Sequence, residues 1–287
     1  MGRGIDHIVH AVRDLDAAAD FYARLGFTVG ARNRHPWGTH NRLVLLAGSY
    51  IELLAVAEPD KIQASTATQF SFGGFNRDFL AGVGEGLSML VLSSSDPRVD
   101  KTIFDRAGFG GFDLFDFSRT GRGADGSEIE VAFELAFARD PASPQAGFFT
   151  ILHKTPQHIW LAELQRHENG ARAVAAAVFV AESPTDHHIF LEAFSGVREV
   201  HSTSLGISVT TPRGDILVME RSGFADMFAI EPPAGEGMRL AAVEFAVADL
   251  AATGALLAWN GVAARAHAGR LVIGGAAARG AILAFSA

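Results

Sequence analysis

Residues 5–27 read IDHIVHAVRDLDAAADFYARLGF. An apolar run over 5–12 leads to an acid, Asp14, and a helical pattern then closes on Gly26 and Phe27. The acid suits a helix N-cap, where it accepts from free backbone N–H groups and opposes the helix dipole. The glycine suits the left-handed position after a helix. The same grammar returns in SSSDPRVDKTIFDRAGF (93–109), VAESPTDHHIFLEAFSGV (180–197) and AVADLAATGALLAWNGV (246–262). The acids are Asp14, Asp96, Glu182 and Asp249, and the glycines are Gly26, Gly108, Gly196 and Gly261. Their separations are 12, 12, 14 and 12 residues.

A period of this kind is best read before any motif, because it sets the fold. Strand-like runs follow each glycine: 27–31, 41–47 and 50–56 in the first unit, then 115–119, 128–137 and 148–153 in the second. The third has 204–210 and 216–220, and the fourth 271–273 and 281–285. Each unit is therefore a strand, a helix and about three strands, so the fold class is α+β, with four βαβββ modules. One module is too small to bury its own sheet and helix, and pairing is expected. KTPQHIWLAELQRHENGARA (154–173) reads as a turn, a helix over about 156–167 and a glycine break. That places one domain at 1–165 and a second at 172–287. Segments 71–86 and 226–237 link the modules within each pair.

Composition narrows the function. The 287 residues are 48% apolar and 20% charged, with a formal net charge of −8 and scattered Lys and Arg. No basic stripe for nucleic acid and no polybasic membrane anchor is present. There is no cysteine, so disulfides, thiolate metal sites and a cysteine nucleophile are excluded. A metal would be held by His, Asp or Glu. The N-terminus shows no signal-peptide apolar region, and AVAAAVFVA (173–181) is too short to span a bilayer. A cytoplasmic protein is expected.

The opening stretch resembles the first module of the vicinal-oxygen-chelate superfamily, which includes glyoxalase I, extradiol dioxygenases and bleomycin-resistance proteins. RHPWGTHNRLVLLAGSYIELLAV (34–56) and GFFTILHKTPQHIW (147–160) are similar to its glyoxalase-like (glyoxalase-3 type) subgroup. The resemblance implies two half-barrel glyoxalase-like domains, each an eight-stranded curved sheet. It also implies ligand slots projecting into the cleft from the first and last strands of each module.

Under that resemblance His7 fills the first-strand slot of module one and Glu52 its last-strand slot. An acid in an apolar strand is costly unless paired, hydrogen-bonded or bound to metal. Counting back seven residues from Asp96 gives Met89, a departure, because thioether sulfur is a poor ligand for Zn, Ni, Mn or Fe(II). His153 is assigned to the last-strand slot of module two. The expected metal set is thus His7, Glu52 and His153 around a divalent ion (Zn, Ni, Mn or Fe), with Glu52 and His153 also as catalytic groups. The loop RHPWGTHN (34–41) reads as a cleft mouth with His35, Trp37, Thr39 and Asn41 as substrate contacts, or else as a solvated hairpin. Met89 and Arg122 complete the substrate-binding set. His10 falls on the opposite strand face from His7. His40, His158 and His167 read as packing or surface groups. The same counts in modules three and four give Ala175 and Ala242, with Glu220 as a lone acid, so 172–287 reads as a degenerate partner domain.

The leading expectation is a metal-dependent lyase or isomerase acting beside a carbonyl of a small vicinal-oxygen substrate. The alternative is a metal-free binding protein of the bleomycin-resistance type, and a third reading is an interaction protein with a vestigial cleft. The partner is a small molecule, with no nucleic acid or membrane, and a homodimer is open as the assembly.

Overall fold

A computed structural model of the chain describes residues 2–122, 128–275 and 277–287, without the side chains of Gly121 and Arg122. The first sheet is built from β1 (Ile5–Ala11), β2 (Asn33–Arg34), β3 (Thr39–Leu45), β4 (Tyr50–Val56), β5 (Gly86–Ser93), β6 (Phe115–Arg122), β7 (Glu128–Ala138) and β8 (Gly147–His153). Helices α1 (Leu15–Arg24) and α3 (Pro97–Ala107) belong to its two modules, and α2 (Phe72–Gly82) links them. The strand order is β2-β3-β4-β1-β5-β8-β7-β6. The second sheet repeats the plan with β9 (Ala171–Val180), β10 (His201–Thr203), β11 (Gly206–Thr210), β12 (Asp215–Met219), β13 (Arg239–Val247), β14 (Arg265–His267), β15 (Arg270–Ile273) and β16 (Ile282–Ser286). Its helices are α4 (His188–Ser195), the linking α5 (Arg221–Phe228) and α6 (Leu250–Trp259), and its order is β10-β11-β12-β9-β13-β16-β15-β14. These are four βαβββ modules in two half-barrels.

The repeat works locally as its residues suggest, with one exception. Asp14, Asp96 and Asp249 cap α1, α3 and α6 through their side chains. Glu182 does not cap α4, because the longer third unit enters its helix through a 3-10 turn at Pro184–His187. All four repeat glycines have positive φ, between 67° and 83°. Two other expectations are corrected. The helix over 156–167 is two short 3-10 turns, Pro156–His158 and Ala162–Gln165, separated where Leu161 is extended. Trp160 there packs edge-on against Tyr50 and His153. Segment 27–31 joins no ladder, since Thr28 bonds instead to His167 and Arg166 of the inter-sheet connection.

The helix-bearing faces of both sheets share one core. Phe27 meets Phe245 at 5.0 Å, and Phe148 meets Phe190 at 4.6 Å and Phe179 at 5.8 Å. Polar pegs cross the same seam. Arg3 bonds to Asp100 and to the Ala193 and Phe194 carbonyls, and Arg213 donates to the Ile5 carbonyl. His10 faces this seam. It accepts from the Tyr22 hydroxyl and donates to the Arg279 carbonyl, each at 3.0 Å, and burial pushes its imidazole down to about 4.

Gly280, with φ +80°, approaches the start of β5 so closely that an added Cβ would sit 1.7 Å from the Glu85 carbonyl oxygen. Gly280→Ala is therefore expected to lower the unfolding free energy by about 2 kcal/mol, combining backbone strain with overpacking. Urea denaturation checks this, and an unchanged midpoint would contradict it.

The open faces differ. In the second sheet α5 fills the concavity, with Phe224 and Phe228 fully buried against Ala176, Val178, Met219, Ala242 and Ala284. In the first sheet Phe79 and Leu80 of α2 pack at one end, beside Ala11. A cavity of about 450 Å³ is left over the concave face.

Candidate functional site

The site begins with an irregularity in β1. Ile5 pairs with Leu92 and His7 with Val91, so Asp6 is the extra residue of a β-bulge. The bulge sets Asp6 beside His7, and the His7 Nδ1–H donates to Asp6 Oδ1 at 2.8 Å. The His7 ring is clamped by Tyr50, stacked at 4.3 Å and 11°, and by the edge of Phe149 at 5.5 Å. Its Nε2 faces Glu52 Oε2 at 3.7 Å, too long for a hydrogen bond and open to the cavity.

Glu52 is 5% exposed. Its Oε1 accepts from Asn41 Nδ2 at 2.5 Å. Asn41 also donates to His35 Nε2 at 3.4 Å, and His35 Nδ1–H donates to the Thr39 hydroxyl at 2.8 Å. Burial, then the charges of Arg119 and His40, push the His35 imidazole down to about 3, so it is neutral. Burial also raises the Glu52 carboxyl above its ordinary range, against the opposing effects of His7, Asn41 and Arg119. A carboxyl that holds its proton more tightly when folded stabilises the fold at low pH and loses that contribution as pH rises through its folded pKa. Glu52→Gln is accordingly expected to melt above the wild type at pH 7, with the gap closing toward pH 4. A lower melting temperature for Glu52→Gln at pH 7 would contradict a burial cost for ionising Glu52.

The ladder registers locate the other slots. Glu52 lies opposite Val9, two residues beyond His7. The matching position in module two is the residue opposite Val91, two beyond Met89, and that residue is Phe149. His153 lies four residues further on. Its Nε2–H donates to both oxygens of Asp6 at 3.1 Å, and it does not line the cavity with Glu52. The structure thus joins His7 with Glu52 but places His153 behind Asp6. Met89 is fully buried below the cavity, its sulfur 3.6 Å from Asn76 Nδ2. In the second sheet the corresponding positions are Ala176, Leu217, Ala242 and Ala284. The longer third unit shifts the slot from Ala175 to Ala176, and Glu220 lies past β12, at the start of α5.

A divalent ion does not fit this donor set as it is folded. Two of the four slots hold a thioether and a phenyl ring, and the Asn41 amide nitrogen stands between His35 and Glu52. Among the described residues no group of three or more His, Asp or Glu is placed to hold a metal.

His35, Trp37 and Asn41 line the cavity, while Thr39 is buried behind His35. Arg122 ends β6 opposite Glu128, and its side chain lies outside the described residues. Three groups emerge that sequence reasoning passed over: Asp6, Tyr50 and Arg119. Arg119 had a signal, since Phe115, Phe117 and Arg119 alternate on one strand face, a cation ending a row of aromatics. The cavity is two-sided. Module one supplies polar groups, and module two supplies Phe115, Phe117, Phe133, Phe137 and Phe149.

Paired βαβββ modules in half-barrels, with a cleft reading His7 and Glu52 from adjacent strands, define a protein of the vicinal-oxygen-chelate class. The family model described as "Glyoxalase-like domain" matches residues 5–194, and the chain belongs to that family. No curated protein matches the sequence. Among solved structures, a hypothetical protein from Staphylococcus aureus is similar with a TM-score of 0.68 at 14% identity, covering 99% of each chain. A mutant 4-hydroxymandelate synthase from Streptomyces coelicolor is similar with a TM-score of 0.59 at 11% identity, covering 99% of this chain and 92% of the other. At these identities the likeness is one of fold. Among the described residues no helix is long and apolar enough to cross a membrane.

Proposed function

We propose that this protein is a glyoxalase-like enzyme that moves a proton beside a carbonyl group, in lyase or isomerase chemistry, on a small molecule held in the first sheet's cavity. The observation that carries the reading is the buried pair His7 and Glu52, facing each other at 3.7 Å over the cavity. Asp6 accepts the Nδ1–H of His7, which leaves Nε2 as the base. In the proposed step the C–H bond beside the carbonyl breaks, its proton goes to Nε2, and the electron pair moves onto the carbonyl oxygen. The Glu52 carboxyl, kept protonated to higher pH by burial, donates to that oxygen. Return of the proton to carbon gives isomerisation, and loss of a neighbouring leaving group gives a lyase product. We place the activity in the cytoplasm.

The test is solvent-deuterium incorporation, followed by NMR, into a panel of α-keto and α-hydroxy acids, with elemental analysis of protein purified without nickel. Incorporation that survives chelators supports the acid–base reading. A stoichiometric divalent metal lost in His7→Ala and Glu52→Gln would replace it with the metal-dependent form. Absence of exchange across the panel would sink both. Met89 and Phe149 in two slots favour one second reading, a metal-free binding protein, which tight binding without exchange would identify.

A further inference from the structure

The cavity's polar groups His7, His35, Asn41 and Glu52 come from module one, while module two supplies a phenylalanine wall that ends in Arg119. Phe115 and Phe117 on β6, Phe133 and Phe137 on β7 and Phe149 on β8 form a nearly continuous aromatic surface. Phe117 and Phe133 stack at 6.2 Å and 6°, and Trp37 closes on Phe117 at 4.7 Å. Flat rings offer large contact area and accept ring partners edge-on or offset. Arg119 follows on the same face of β6 and lines the same cavity. His35, Tyr50 and Glu52 line the cavity with it, and its charge favours the ionised form of Glu52. A guanidinium is always charged and presents a planar fork suited to a carboxylate.

We propose that the cavity selects small molecules with a flat aromatic body and a carboxylate head, the ring against the phenylalanine wall of module two and the carboxylate on Arg119. This deepens the reading of the cavity as the substrate site, but it concerns recognition and does not depend on which bond reacts. The neighbouring acid does not oppose it strongly, because Glu52 already accepts from Asn41 and is held toward its neutral form.

The probes are 1-naphthylacetate and 1-naphthylacetamide, which share a ring and differ in charge. Binding to the full chain is measured by calorimetry at low and high salt. The acid is expected to bind at least tenfold more tightly than the amide, with the preference shrinking as salt rises. Arg119→Gln is expected to bring the acid to the affinity of the amide and to leave the amide within about twofold. Amide binding thus reports that the cavity is still folded. Arg119→Lys should restore part of the preference, and Phe117→Ala should weaken both probes. Equal binding of acid and amide, a preference that survives Arg119→Gln, or no binding of either probe at millimolar concentration would overturn the proposal. Exchange chemistry without an acid preference would overturn this inference alone. An acid preference without exchange would leave it standing while the enzymatic reading fails.

Discussion

Replacing His7 by Gln is expected to slow solvent-deuterium exchange by ~10²–10⁴-fold, the usual contribution of a positioned general base. The ring is held on three sides, by Tyr50 in a stack, Phe149 at its edge and Asp6 at Nδ1. Only Nε2 is left for a substrate. Gln fills most of the volume and offers no base, so the loss should appear in the rate while the circular dichroism spectrum is unchanged. In His7→Gly the ring's space opens, and added imidazole should restore part of the rate. A His7→Gln variant that exchanges at the wild-type rate would remove His7 from the chemistry. Arg119 variants should behave differently, changing KM for an acidic substrate more than kcat.

Asp6→Ala is expected to lower the unfolding free energy at pH 7 by about 3 kcal/mol, the scale for removing the charged acceptor of several buried hydrogen bonds. Asp6 is 1% exposed and serves both imidazoles, His7 through one bond and His153 through two. Burial alone would raise its carboxyl, but the charge and hydrogen bonds of His153, then those of His7, outweigh burial and hold it below the ordinary range. A group depressed in this way stabilises the folded state above its unfolded pKa, near 4, and the contribution is lost as pH falls further. The gap between wild type and Asp6→Ala should therefore be full at neutral pH and narrow below pH 4. Chemical denaturation at a series of pH values measures it. A constant gap through the acid range would mean that the carboxylate's charge plays no part.

The module plan was readable because each copy states it twice, with an acid before the helix and a glycine after it. Three of the four acids make the expected caps, and all four glycines take positive φ. His7 and Glu52 were readable for a related reason, as polar side chains in apolar strands that need an explanation. The rest of the site depends on features that spacing does not carry. A bulge at Asp6 breaks the alternation that would send neighbouring side chains to opposite faces. Counting along the chain put His153 in a slot that the parallel pairing of β5 and β8 gives to Phe149. Met89 faces the right side of its strand yet lies below the cavity, where Gly147 leaves room for its side chain. The connection after His153 has helical composition, but Trp160 is drawn to the Tyr50 and His153 rings.

The filled face of the second sheet bears on how the molecule melts. Phe224 and Phe228 occupy that concavity, and the sheet's other face is joined to the first half through Phe27, Phe148 and Gly280. Cutting the chain between the sheets would expose those aromatic contacts on both pieces. The two half-barrels should therefore unfold in a single calorimetric transition, with equal calorimetric and van't Hoff enthalpies. A ligand in the first cavity should raise the melting temperature of the whole molecule, the second sheet included.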